Sequence, residues 1–316
     1  MRRRLLVQAA AAGLAAPNVL AQHGTPKRLL FVHGRSQGGR IPEELKVEWF
    51  DLLTKTAASI GRSVPATTIV DMPFYGDKLD EFARAAQIPL STDIQNRGSE
   101  PDREFQEFQA QFVDELRNKA GVTDEEVQAE YGEIPAERGP QNWRWVQAIL
   151  RALDKKVPGM GPVTLEAFMR DVFLYVTKPG VRTAIDRVVS GGFGEDYPTI
   201  VVSHSLGTVV TYSILASERR NLRVPLLVTL GSPLAVRAVR DPFRPLSYPT
   251  AIQSWYNAFD KRDVVALYPL DRENFPVGRT IANNDAVRNQ TDNRHGIAGY
   301  MNNVEVVTKI LDALEK

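Results

Sequence analysis

Ser205 stands at the centre of TIVVSHSLGTVV, residues 199–210, where a β-branched apolar run stops at small polar residues and a second apolar pattern begins at once. A small-x-Ser-x-Gly pattern carries chemistry only between a strand and a helix. There the chain turns so sharply that the residues flanking the serine must be small, and the hydroxyl is exposed at the strand's end. The same turn aims the backbone N–H of the next residue, Leu206, at the reacting centre, and the following helix adds its N-terminal dipole. The run before Ser205 and the TVVTYSILAS segment after it supply that context. Alone the pattern is weak; its strand–turn–helix setting makes it specific.

A serine becomes a nucleophile when a general base, usually an imidazole held by a carboxylate, can take its proton. The chain has four histidines. His23 lies in or beside the N-terminal segment, and His33 ends the first apolar run before Gly34. His204 precedes Ser205 and, by strand alternation, is expected to point away from it. His295 remains, in a loop that precedes GIAGY and the closing helical segment.

Composition narrows the alternatives. With 316 residues, 43% hydrophobic and 24% charged, the chain has ordinary globular composition. A formal charge of +1 gives no reason to expect nucleic acid as a partner. The absence of cysteine excludes disulfides, thiolate catalysis and Cys-ligated metals. No GxxxxGK[ST] run occurs, no His pair has helix-ligand spacing, and SGGFGED precedes an apolar run rather than following one. No metal and no cofactor are expected.

Residues 1–21 form a separate piece. A basic start, an apolar run from Leu5 to Ala16, and small residues at Val19 and Ala21 have the layout of an export signal cleaved after Ala21. The Arg2-Arg3-Arg4-Leu5-Leu6 run is loosely twin-arginine-like, so a periplasmic or secreted location is expected. The alternative is a basic, Ala-rich helix that stays attached to a cytoplasmic protein. Cleavage would remove three arginines and take the formal charge from +1 to −2. The apolar run is too short for a permanent bilayer span, and no transmembrane segment is expected.

The elements that must position these groups are legible in outline. KRLLFVHG and ATTIVDMPF read as strands around a helix over IPEELKVEWFDLLTKTAASIG, the strand–helix–strand unit of a parallel sheet. From about residue 77 to 162 the alternation stops, and REFQEFQAQFVDEL, TDEEVQAEYG and NWRWVQAILRALDKK read as helices. Phe105, Phe108, Phe112 and Leu116 form a stripe of the kind that packs a helical core. Facing a cavity instead, with Trp143 and Trp145, it would suit apolar chains. Two more helices, four apolar runs and a final helix over VEVVTKILDALEK follow. The expectation is an α/β fold: one domain over 22–316, a mostly parallel central sheet flanked by helices, and a helical cap-like insertion.

FVHG, SHSLGT, LGSPLA, NAFDKRDVVA and RHGIAGY, in that order, resemble the α/β-hydrolase superfamily and, within it, lipase- and esterase-like serine hydrolases. The resemblance covers most of the chain outside the N-terminal segment and the insertion. One position departs from it: the family usually has Gly where this chain has Ser203. The resemblance implies the α/β-hydrolase fold and a Ser205, Asp263, His295 triad in the superfamily's chain order. The acid should follow the strand after LGSPLA, where Asp260, Asp263 and Asp271 stand. DVVALYPL is similar to the lipase pattern of Asp, apolar pair and nearby Pro, which favours Asp263 and keeps Asp260 as the alternative. HGRSQGG resembles the family's His-Gly-x loop, so the second oxyanion donor is the backbone N–H of Arg35, with Ser36 as the fallback.

The implied activity is hydrolysis of a small-molecule or lipid ester through an acyl-enzyme. The same triad serves a serine peptidase or amidase, and a binding protein on this fold would need a broken triad.

Overall fold

The computed structural model describes residues 26–97, 100, 102–132, 142–157 and 159–316. The expected export signal, including the whole of 1–21, and His23 lie outside the described residues.

A six-stranded, all-parallel sheet forms the centre, in the order β2-β1-β3-β4-β5-β6. Its strands are β1 (Arg28–Val32), β2 (Ile69–Asp71), β3 (Thr199–His204), β4 (Val224–Leu230), β5 (Ile252–Ala258) and β6 (Ala282–Asn284). Helix α1 (Pro42–Ser59) joins β1 to β2. The β3 run TIVVSH is buried at every position, as a central strand covered on both faces requires. Strand alternation sorts β1 between two apolar cores. Leu29 and Phe31 pack with Leu45 and Trp49 of α1 and with Val307 and Ile310 of the C-terminal helix; Leu30 and Val32 face the opposite layer.

That opposite layer is mostly helical insertion. Between β2 and β3 the described residues hold no strand but seven helices: α2 (Gly76–Ala85), α3 (Ser91–Arg97), α4 (Arg103–Ala120), α5 (Asp124–Tyr131), α6 (Trp143–Lys156), α7 (Pro162–Thr177) and α8 (Pro179–Ser190). The expected boundary near 162 divides nothing. Helix α7 begins there, buries Phe168, Met169, Val172 and Phe173, and packs against α2, α4, α6 and α8. A chain half apolar on several faces has nowhere else to hide them, so α7 is the insertion's central rod. Its buried Glu166 has no cationic partner among the described residues. Its carboxylate accepts from both the amide and the hydroxyl of Ser91, and from the side-chain amides of Gln109 (3.2 Å) and Gln147 (3.4 Å). That one hub ties α3, α4 and α6 to α7, and its full set of donors is what allows a carboxylate to be buried there.

Helix α9 (Leu206–Ser217) follows β3 directly, α10 (Arg237–Arg240) follows β4, and α11 (Ile297–Met301) and α12 (Val304–Glu315) close the chain. The loops at the carboxyl ends of β1, β3 and β5, with the loop before α11, gather at one edge of the sheet. In open parallel sheets that edge is where ligands bind.

Candidate active site

The turn between β3 and α9 is tight enough to select its residues. Ser205 has φ 56° and ψ −129°, a conformation that costs a residue carrying a Cβ about 1–3 kcal/mol. Its amide donates to the carbonyl of Leu230 on the neighbouring strand (3.0 Å), and its own carbonyl accepts from both the amide (2.9 Å) and the hydroxyl (2.7 Å) of Thr208. Two glycines let the elbow approach the end of β1. A Cβ on Gly207 would stand 2.4 Å from the carbonyl oxygens of Val32 and His33, and one on Gly34 would stand 2.9 Å from the Ser205 Cβ. Ser203, where the resembled family has Gly, is accommodated: its hydroxyl turns to β4 and donates to the carbonyl of Val228 at 3.2 Å.

Ser205, His295 and Asp263 are brought together in a hydrogen-bonded chain. His295 Nε2 lies 2.7 Å from Ser205 Oγ, and His295 Nδ1 lies 2.6 Å from Asp263 Oδ2. A carboxylate only accepts, so Nδ1 carries the proton and Nε2 is free to accept from the serine hydroxyl. All three are buried. Asp263 is held from three sides, since its Oδ1 accepts from the Val265 amide (3.1 Å) and its Oδ2 also from the Tyr300 hydroxyl (2.6 Å). The His295 loop is fixed by its own side chains: Asn293 Oδ1 accepts from the His295 amide (3.1 Å), and Asn289 Nδ2 donates to the Gly296 carbonyl (2.9 Å).

Asp260, the alternative acid, lies apart from His295. Its carboxylate accepts from the Arg262 guanidinium at 2.7 and 3.1 Å, from the Arg262 amide at 2.9 Å and from the Asn289 amide at 2.7 Å. Burial alone would raise its pKa, but those donors outweigh it and hold the carboxyl below the usual range. It braces the acid loop against the histidine loop. Asp271 caps a turn, accepting from the Glu273 and Asn274 amides.

Two further histidines are buried neutral. His33 donates from Nδ1 to the Gly34 carbonyl (2.7 Å) and accepts at Nε2 from the Tyr75 amide (3.1 Å), and burial takes its pKa down to about 4. His204 does project to the α1 side of the sheet, against Trp49, but it is not remote from the site. Its Nε2 donates to the His295 carbonyl (2.7 Å), and the two rings lie 4.8 Å apart. Burial, and then the neighbouring His295, push its pKa well below an ordinary imidazole's. Strand alternation predicts the direction of the His204 side chain but not that the His295 loop folds back over it.

Leu206 is the first residue of α9, so its amide is among those a helix leaves without an intrahelical partner. Arg35 and Ser36 both line the cavity over Ser205. The Arg35 guanidinium turns instead to the buried Asp171 of α7 at 2.6 Å, which fastens the loop after β1 to the insertion. Ser36 has φ 58°, so the chain reverses sharply just past Arg35.

The cavity measures about 370 Å³, near the small end for ligand sites. Apolar wall comes from Leu45, Trp49, Met160, Phe168 and Ile297, and polar wall from Gln37, Arg40, Glu48, Thr164, His204 and Asn293. The α4 stripe is not part of it. Phe105, Phe108 and Phe112 are buried against Phe168 and Phe173, and Trp145 is buried against Tyr131. The stripe is spent on packing α4 to α7, and neither Trp143 nor Trp145 reaches the cavity wall.

The chain matches no protein-family model, no curated protein and no solved structure. Among the described residues no three His, Cys, Asp or Glu side chains form a group that could hold a metal ion, and no helix is long and apolar enough to cross a membrane. Chemically, the arrangement joins a hydroxyl to an imidazole and a buried carboxylate, with Ser205 and His295 on the wall of a cavity.

Proposed function

We propose that the chain is a serine hydrolase of the α/β-hydrolase type that cleaves carboxylic esters. The observation that carries this reading is the relay from Ser205 Oγ through His295 to Asp263, at 2.7 and 2.6 Å, on a serine held in a strained turn at a cavity floor. Backbone strain at the residue that carries the hydroxyl itself is a cost of the kind that clusters at functional sites.

In the first half-reaction Ser205 Oγ attacks the ester carbonyl carbon while His295 Nε2 takes the hydroxyl proton. Asp263 stabilises the resulting imidazolium and keeps its ring in register. The carbonyl oxygen, now an oxyanion, is met by the Leu206 amide and by the loop of Arg35 and Ser36. Collapse of the intermediate expels the alkoxide, which takes the proton from His295 and leaves an acyl-Ser205. Water then repeats the sequence: His295 takes its proton, its oxygen attacks the acyl carbon, and Ser205 leaves protonated. Esters are the favoured substrates because alkoxides depart more readily than amines, and a small cavity accommodates a short ester better than an extended peptide.

A panel of p-nitrophenyl esters set against peptide anilides tests this, with wild type and Ser205→Ala in parallel. Ester turnover lost in the variant supports the reading. Anilide turnover above ester turnover would make the chain an amidase or peptidase, and turnover of neither overturns hydrolysis altogether.

A further inference from the structure

We propose that Tyr300 is a positioning residue that sets the basicity of His295 through Asp263. The inference rests on the hydrolase reading for its catalytic meaning, although the coupling itself is a property of three side chains.

Asp263 Oδ2 is a shared acceptor. His295 Nδ1 and the Tyr300 hydroxyl both stand 2.6 Å from that one oxygen. A carboxylate cannot donate, so the phenol must; the Asp260 amide makes a longer approach to the same hydroxyl at 3.5 Å. Tyr300 is fully buried, and burial followed by the adjacent Asp263 raises its pKa well above the ordinary value, so it remains a donor at any working pH. The fit is close: a Cβ on Gly231 would stand 3.1 Å from the Tyr300 hydroxyl and from His295 Cε1, at a residue whose φ of 57° already favours glycine.

A second donor on Oδ2 has a definite electronic consequence. Each hydrogen bond to a carboxylate spreads and stabilises its charge, which lowers what it offers to a neighbouring imidazolium. With Tyr300 in place, Asp263 Oδ2 divides its negative charge between two donors instead of giving it to His295 alone. The phenol also fixes the carboxylate plane, so Oδ2 faces Nδ1 without rotation. The other charged or titratable groups around the relay leave this role open. His204 faces His295 from the β3–α9 turn and is neutral, and Arg35, Arg40 and Glu48 line the cavity on the Nε2 side. Asp260 faces Tyr300 but is neutralised by Arg262. None of these touches Asp263 Oδ2.

The test is a histidine NMR titration of the full chain, with the His295 signal assigned through His295→Gln, run beside the pH profile of p-nitrophenyl acetate hydrolysis. In Tyr300→Phe the His295 midpoint should move up by roughly 0.5–1 pH unit, and the acid limb of kcat/KM should move with it. The plateau kcat should fall several-fold while KM changes little. Incorporating 3-fluorotyrosine at all nine tyrosines makes each phenol a stronger donor and should move the midpoint the opposite way. If Tyr300→Phe does not fold, the fluorotyrosine protein decides alone. A His295 midpoint within about 0.2 unit of wild type overturns the proposal. Absence of ester turnover in the wild type overturns the hydrolase reading instead, and the NMR titration still decides the coupling.

Discussion

His204 Nε2 lies 2.7 Å from the backbone carbonyl oxygen of His295, so the residue before Ser205 holds the loop that carries His295. The two catalytic candidates sit on segments ninety residues apart in sequence. This bond, between two residues that both line the cavity, ties the two segments together.

Removing that bond should therefore act on orientation. His204→Leu, which keeps an apolar body against Trp49, should lower kcat by about ten- to a hundredfold with little change in KM, as small misplacements of a base do. His204→Gln, whose amide can reach the same carbonyl, should recover most of the loss. Steady-state kinetics on the pair decide it. Equal activity in wild type and His204→Leu would show that the bond is dispensable.

Stability should depend on pH through the buried histidines. The folded protein binds a proton at His33 less readily than the unfolded chain does, because burial takes its pKa from 6.5 to about 4. His204 is shifted in the same direction. Between those values the unfolded state holds the extra proton, so stability is complete above about pH 6.5 and is lost as the pH falls towards 4. The loss assignable to His33 is roughly 3 kcal/mol. Urea midpoints at neutral pH and near pH 4.5 should show it, with a shallower dependence in His33→Gln. A flat midpoint over that range would contradict the assignment.

The sheet and the relay were legible because short-range patterns specify them. The runs around Phe31, Val202 and Val228 are apolar on both faces and read directly as buried strands, while the run around Tyr256 mixes Gln253, Ser254 and Asn257 into its apolar positions. Ser205 and His295 came from motif context and elimination among four histidines. Asp263 was separated from Asp260 only through a family resemblance; spatially the difference is that Arg262 and the Asn289 amide occupy Asp260. Long-range facts were not legible. Periodicity reveals that Phe105, Phe108 and Phe112 share a face but not whether that face meets α7 or the cavity, and it meets α7. Helix α2 puts Leu79, Phe82 and Ala83 on one face, but over only ten residues, too short a run for periodicity to separate it from the flanking loops. Tyr300 lies five residues past His295, in the GIAGY segment already singled out, yet only the fold shows that it turns back to Asp263.

Because the α4 stripe belongs to the insertion core, the cavity is small and the acyl preference should be short. Acetyl to butyryl p-nitrophenyl esters should be hydrolysed faster than octanoyl and longer ones. Phe168, which lines the cavity and stands 6.2 Å from the His295 ring, is the residue that sets this limit. Phe168→Ala should shift the optimum to longer chains. Phe112→Leu, away from the cavity wall, should lower the melting temperature through a cost of about 1 kcal/mol and leave the chain-length profile as it was. An unchanged profile in Phe168→Ala would place the acyl group elsewhere.

The central claim is that Ser205 is a nucleophile activated by His295. Its most direct measurement is covalent labelling by a fluorophosphonate probe, with the modified residue located by peptide mass spectrometry. Wild type should label at Ser205. Ser205→Ala should not label, and His295→Gln should label slower by orders of magnitude. Equal labelling of wild type and Ser205→Ala, or attachment at another residue, would contradict the account.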